Sequence, residues 1–202
     1  MTADIRPSAT GLLVFDMLEC YRDSITESGA LEPVVELMDA CRRADVPIFY
    51  ARADHRADGA DLARAPTDTD KHFRPWSADN RPATRPIKNA AGSPGTAVMA
   101  EIAPQPEDYD IRKHRWSAFF QTPLELSLRT RGISTVLVVG GSAHVGVAST
   151  VYAGRDMDLD MVVVRDCLTG FAEQRNFFVD KVFPRVCRVR TCAQVVAALE
   201  TS

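Results

Sequence analysis

Short apolar runs alternate along this chain with segments whose apolar residues recur at helical spacing. Gly11–Asp16 (GLLVFD) is a continuous apolar run that ends on an acid, and Val46–Arg52 (VPIFYAR) is a second, rich in β-formers. Tyr109–Lys113 (YDIRK) is a third and less apolar. Ser134–Gly141 (STVLVVGG), Asp160–Asp166 (DMVVVRD) and Phe183–Arg190 (FPRVCRVR) supply a fourth, a fifth and a short sixth. Runs of this length read as strands buried on both faces of a parallel sheet. Between them, Leu31–Val46 places Leu31, Val34, Val35, Leu37, Met38 and Cys41 close to i, i+3, i+4, i+7. Thr122–Gly132 reads as a helix with Thr122 at its N-cap, Pro123 at the first position and Gly132 closing it. Further helices are expected from about His144 to Met157 and over Thr191–Glu200. Strands alternating with helices predict an α/β domain, a three-layer α-β-α arrangement around a six-stranded, mostly parallel sheet.

One stretch breaks the alternation. Ala53–Pro94 is polar, rich in Pro, Asp and Arg, and has no periodicity. A loop this long in a compact domain is usually functional or disordered. Phe73 and Trp76 give it something to pack, so a lid over a site is expected at about 53–95. Arg64, Arg74, Arg81 and Arg85 within it are mostly solvated charge, with one available to bind a substrate carboxylate.

Composition narrows the class without touching the chemistry. A chain of 202 residues fits one domain, and 46% hydrophobic with 25% charged residues is ordinary globular composition, not a disordered or fibrous one. A formal net charge of −3 argues against general nucleic-acid binding. No apolar run approaches the ~20 residues of a membrane helix, and no apolar h-region follows the first basic residue. The five cysteines are odd in number and lack CxxC spacing, so neither a disulfide framework nor a zinc knuckle is readable. Reduced thiols and a cytoplasmic location are the expectation.

Ligands of open parallel sheets bind outside the carboxyl ends of the strands. Those ends offer Asp16, Arg52, Lys113 and the GGSAHVG turn in succession. Any one of them could be a cap or a loop hydrogen bond. Together, an Asp–Lys pair near a desolvated pocket is a proton-transfer couple. A Gly-rich turn entering a helix exposes N–H donors for an oxyanion or a carboxylate. Many α/β domains would satisfy this much.

Val14–Tyr21 (VFDMLECY), Lys113–Phe120 (KHRWSAFF) and Val136–Asp156 (VLVVGGSAHVGVASTVYAGRD) resemble the three signature regions of the isochorismatase-like, or cysteine hydrolase, superfamily. Order and spacing match from about Gly11 to Leu199, so the resemblance implies one domain over 1–202 with a Rossmann-like hydrolase fold. Most members hydrolyse amides with an Asp–Lys–Cys triad. By motif, Asp16 would be the acid/base and Lys113 its partner, while the nucleophile's position holds Gly146, which has no side chain to attack with. Ser142 and Ser149 are nearby hydroxyls outside that position, and Ser142 reads as a helix cap.

The isochorismatase branch carries a stretch like Ala143–Gly146 and tolerates this loss. There an Asp protonates an enol-ether carbon, water adds to the oxocarbenium ion and pyruvate leaves. Such chemistry requires Asp16 to be protonated, which burial would favour and Lys113 oppose. Ser142 stands where those isochorismatases have Tyr, and Ala51–His55 where they have a Gln–Pro pair. The Asp54–Asp61 stretch is more similar to hydrolases of small amides and ureido compounds. Three readings therefore stand: enol-ether hydrolysis of a small carboxylated molecule, C–N cleavage without a Cys, and an inactive metabolite-binding relative.

The resemblance also implies that Tyr21, Trp76 and Trp116 wall the pocket. Arg52, Gly141, Ser142, His144 and Gly146 would contact substrate, with a non-proline cis peptide at Gly141–Ser142. It implies no cofactor, and assembly as a homodimer or larger homo-oligomer. Asp54 and His55 resemble the metal-binding region of nicotinamidases. Adjacent strand residues point to opposite faces, however, so no metal is expected there. His144 is expected as a hydrogen-bonding residue at the helix start.

Overall fold

The computed structural model describes residues 5–63 and 87–201. The middle of the proposed lid, with Arg64, Phe73, Arg74, Trp76, Arg81 and Arg85, lies outside the described residues. Strands β1 (Thr10–Phe15), β2 (Ile48–Ala53), β3 (Tyr109–Lys113), β4 (Thr135–Gly140), β5 (Asp160–Leu168) and β6 (Arg188–Arg190) form one sheet. Their order is β3-β2-β1-β4-β5-β6, and every neighbouring pair is parallel. Helices α1 (Arg22–Ser28), α2 (Leu31–Arg43), α3 (Leu124–Thr130), α4 (Ala148–Asp156), α5 (Ala172–Phe177) and α6 (Cys192–Glu200) complete the domain.

The continuous apolar runs are explained by burial on both faces. Leu12, Val14, Ile48, Tyr50, Leu137 and Val139 pack with Val34, Leu37 and Cys41 of α2 and Val195 and Leu199 of α6. The alternate residues Leu13, Phe15, Phe49, Ala51, Val136 and Val138 pack with Leu124 and Leu128 of α3 and Ala148 and Val151 of α4. This period of two across a sheet covered on both sides is the physical basis of the three layers.

Two short helices differ from the expectation. α1 buries only Ile25 and α5 buries nothing, so neither carries an apolar period to read. α3 begins one residue later than expected. Pro123 takes its N-cap, and the Thr122 hydroxyl accepts from the Leu124 N–H at 3.3 Å while donating to the Ala118 carbonyl. α6 starts as a capping box: Thr191 Oγ1 accepts from the Gln194 N–H at 3.2 Å, and Gln194 Oε1 accepts from the Thr191 N–H at 3.0 Å. Among the described residues, no helix is long and apolar enough to cross a membrane.

Strand succession reverses between β1 and β4, which lie side by side with Phe15 opposite Gly140. Sheets of this kind usually bind ligands in the crevice outside the carboxyl ends of the strands at such a reversal. Asp16, Lys113 and the turn after β4 all end there.

Candidate functional site

Asp16 is the first residue past β1 and has φ +47°, a left-handed conformation that short Asp and Asn side chains tolerate best. Its N–H donates to the Ala51 carbonyl at 2.8 Å. Oδ1 accepts from the Ala53 N–H at 2.6 Å, and Oδ2 accepts from Lys113 Nζ at 2.6 Å. Lys113 ends β3 in register with Ala53 of β2, so parallel pairing alone brings the two partners of Asp16 to one level. The side chains of Lys113 and Asp16 are only 5% and 12% exposed. Burial raises the pKa of Asp16, outweighing the lowering by the Lys113 charge and hydrogen bond, the Ala53 N–H and His55. The Asp16–Lys113 pair expected from the motifs is therefore assembled, with burial holding the carboxyl pKa above its ordinary value.

Gly140 has φ +90°, and a Cβ there would run into the backbone of Phe15. Glycine lets the chain pass close enough for the Gly141 N–H to donate to the Phe15 carbonyl at 3.0 Å. The Gly141–Ser142 peptide is cis, as the resemblance implied. A single π turn, Ala143–Val147, then leads into α4. Within it the Ala143 N–H donates to the Thr169 carbonyl at 3.0 Å, and the N–H groups of Val145 and Val147 donate to the Ser142 carbonyl at 3.2 Å each. These bonds narrow one expectation and correct another. The donors of Gly141, Ala143, Val145 and Val147 are spent inside the protein and not offered to a ligand. Ser142 occupies the N-cap position but its hydroxyl makes no capping bond.

Gly146 is buried in that turn, and Phe15 occupies the space in front of it. A Cβ on Gly146 would lie 2.6 Å from Cζ of Phe15, closer still to Cε1, and 3.4 Å from the Trp116 carbonyl. The other side of the Phe15 ring environment is electrostatic, since Lys113 Nζ lies 4.4 Å from the ring centroid. Phe15 was readable only as a core residue of an apolar run. Its role depends on a contact with a residue far along the chain. Thr150 was also missed: its hydroxyl donates to the Gly146 carbonyl at 2.7 Å and accepts from the Ala118 N–H at 3.0 Å.

The remaining candidates divide. Tyr21 is exposed over about a third of its surface (36%), and burial of the rest, with the Asp16 charge, raises its phenol pKa, so it is a neutral hydroxyl beside the pair. His144 lies 6.3 Å, ring centroid to centroid, from both Phe171 and Phe178. Its Nδ1 is buried with no hydrogen-bond partner among the described residues, and burial lowers its pKa toward the neutral imidazole. The Trp116 carbonyl faces Gly146, 3.4 Å from where a Cβ there would lie, and Trp116 is 62% exposed among the described residues. Trp76 lies outside the described residues.

Arg52 is not available to substrate. Its Nη2 donates to Asp110 Oδ2 at 2.7 Å and its Nη1 to the Thr96 carbonyl at 3.0 Å, so a neighbouring strand consumes the guanidinium. Arg52→Gln is therefore expected to lower the melting temperature by a few degrees while leaving KM within about twofold. A large rise in KM with unchanged melting would restore Arg52 to the substrate.

Asp54 turns away from His55, its Oδ2 lying 3.1 Å from Arg112 Nη1. The group of described residues able to hold a metal ion is instead His55, Asp61 and His114, whose ligand atoms lie within 4.8 Å of one another. Asp61 bridges the two rings, at 3.5 Å from His55 Nδ1 and 3.3 Å from His114 Nδ1. Asp61 and His114 also border a cavity of about 190 Å³ with Arg115, Phe120 and Gln121. Of the thiols, Cys20 is the one that feels Asp16, and burial with that charge raises its pKa, so it remains a thiol.

A family model described as the isochorismatase domain matches residues 10–194. Phenazine biosynthesis protein PhzD1 of Pseudomonas aeruginosa is 34% identical over 175 residues, covering 85% of this chain and 77% of that protein. Ureidoacrylate amidohydrolase RutB of Rhizobium rhizogenes is 27% identical over 216 residues, covering 98% of this chain and 87% of that protein. In three dimensions the chain is similar to a cysteine hydrolase from Pseudomonas syringae pv. phaseolicola, with TM-score 0.83, 23% identity, and 98% and 95% of the two chains covered.

Proposed function

This chain belongs to the isochorismatase family of hydrolases, and we propose that within it the protein hydrolyses an enol ether of a small carboxylated molecule by Asp16 general-acid catalysis, without a protein nucleophile. The observation that carries this reading is the buried Asp16, held by Lys113 and Ala53 yet raised in pKa by its burial. A carboxyl whose pKa burial lifts above the ordinary carboxylate value gains its proton more readily, which protonation of an enol-ether carbon needs. Asp16 gives its proton to the terminal carbon, and positive charge develops on the carbon bearing the ether oxygen. Water adds there and returns a proton to the Asp16 carboxylate. The hemiketal then collapses to a ketone and an alcohol. Lys113 fixes the orientation of the carboxyl and stabilises its anion after transfer. No step calls for a group at 146. Similarity to PhzD1 supports the same choice.

A second reading, C–N hydrolysis, is favoured by the similarity to RutB. It would use Asp16, ionised beside Lys113, as a general base on water. A panel of isochorismate-type enol ethers and small amides separates the two. Turnover of an enol ether and of no amide is expected; the reverse would overturn the proposal.

The pH dependence has a definite sign. A general acid must be protonated, so kcat/KM is expected to fall as pH rises through a pKa above the ordinary carboxylate value of 3.8. A rate that instead rises with pH through that pKa would identify Asp16 as the base. Steady-state kinetics between about pH 4 and 9 decide this.

A further inference from the structure

We infer that Phe15 and Gly146 form one steric unit that decides which chemistry the crevice can hold. The ring of Phe15 occupies the volume that a nucleophilic side chain at 146 would need and carries the Lys113 ammonium on its face. Phe15 is thus the positioning residue that keeps the site free of a protein nucleophile. This rests on the reading of the site as one that works without such a group, and deepens it from a missing residue to a filled space.

Neither partner can retreat from the overlap. Phe15 ends the central strand β1, paired on both sides by β2 and β4, and its carbonyl receives the Gly141 N–H. Its side chain is wholly buried among Leu13, Phe49, Val138 and Val147. Gly146 is tied through its carbonyl to Thr150, which in turn holds the Ala118 N–H. A side chain at 146 must therefore displace the ring itself. Close-packed interiors resist that, and a displaced ring also gives up the face on which Lys113 sits. The chemistry of the turn is set jointly by two residues distant in sequence. A change at 146 alone meets a steric barrier that only a smaller residue at 15 removes.

Gly154 provides an internal control. It lies on α4, and a Cβ there would be 3.0 Å from Met161 Cε and closer to Sδ, so it is crowded by a residue other than Phe15. Thermal unfolding of single and double variants tests the coupling. Gly146→Ala is expected to lower the melting temperature by about 3–10 °C, even though alanine is the better helix former. Phe15→Val lowers it as well, by leaving a cavity. The double variant Phe15→Val/Gly146→Ala is expected to lose clearly less than the two single losses combined, whereas Phe15→Val/Gly154→Ala is expected to lose their sum. Additivity in both pairs would overturn the proposal, as would a Gly146→Ala variant as stable as the native chain.

A second readout is chemical. In Phe15→Val/Gly146→Cys, the introduced thiol opens onto the site near Lys113. Iodoacetamide at neutral pH, mapped by peptide mass, should then modify it about tenfold faster than Cys20. Modification no faster than at Cys20 would contradict the placement. Neither readout depends on turnover, so the outcome is independent of whether an enol ether proves to be the substrate.

Discussion

Asp16→Asn lowers kcat by about 10²- to 10⁴-fold, the contribution expected of a positioned general acid, and leaves KM little changed. The substitution is close to isosteric. An Asn oxygen can still accept from the Ala53 N–H, so the turn after β1 keeps its local bond. What disappears is the transferable proton. Lys113 also loses its counter-charge in a nearly closed environment, and a lower melting temperature accompanies the kinetic loss. Steady-state kinetics on the panel member that the native enzyme turns over, with a thermal melt of the same sample, check both. A variant that keeps full kcat removes Asp16 from the chemistry.

Lys113→Met has the second large effect, and it is seen first in stability. Breaking a buried pair by removing one partner costs about 3–5 kcal/mol, or roughly 6–20 °C in melting temperature for a domain of this size. The loss depends on pH with a definite sign. Without Lys113 the chief influence holding the Asp16 pKa down is gone, and burial carries it further above 3.8. A carboxyl whose folded pKa is raised opposes folding once it must ionise, and adds no such penalty below its unfolded pKa. The destabilisation should therefore be small near pH 4 and grow as pH rises through the folded pKa. The alkaline limb of kcat/KM should move to higher pH in the same variant. Melts of native and variant protein across that range check this; a loss independent of pH would mean that Lys113 is not the group neutralising Asp16.

The sheet was legible because double-sided burial writes itself into sequence as unbroken apolar runs. Tyr109–Lys113 was read to its ends although only Ile111 and Lys113 are buried in it. Asp16 and Lys113 were legible too, since strand ends converge wherever a parallel sheet changes winding direction. Arg52 was misjudged for the opposite reason. Its partner Asp110 is 58 residues away, and an exposed strand-end arginine looks the same whether or not a neighbouring strand consumes it. Phe15 shows the same limit more sharply. A phenylalanine in an apolar run predicts burial, and Gly146 at a motif position implies a missing group, but nothing local states that the first fills the space of the second. Ser142 failed as a cap because the π turn draws on its carbonyl and leaves its hydroxyl unused.

The most direct test of catalysis by Asp16 without a protein nucleophile is a single-turnover reaction in heavy water. The protein is in excess over an isochorismate-type enol ether, the reaction is quenched in acid, and protein and product are weighed together. The expected result is a product carrying one solvent deuterium on the carbon that Asp16 protonates, and a protein whose mass never changes between mixing and completion. A transient protein adduct, or product without deuterium at that carbon, would contradict it.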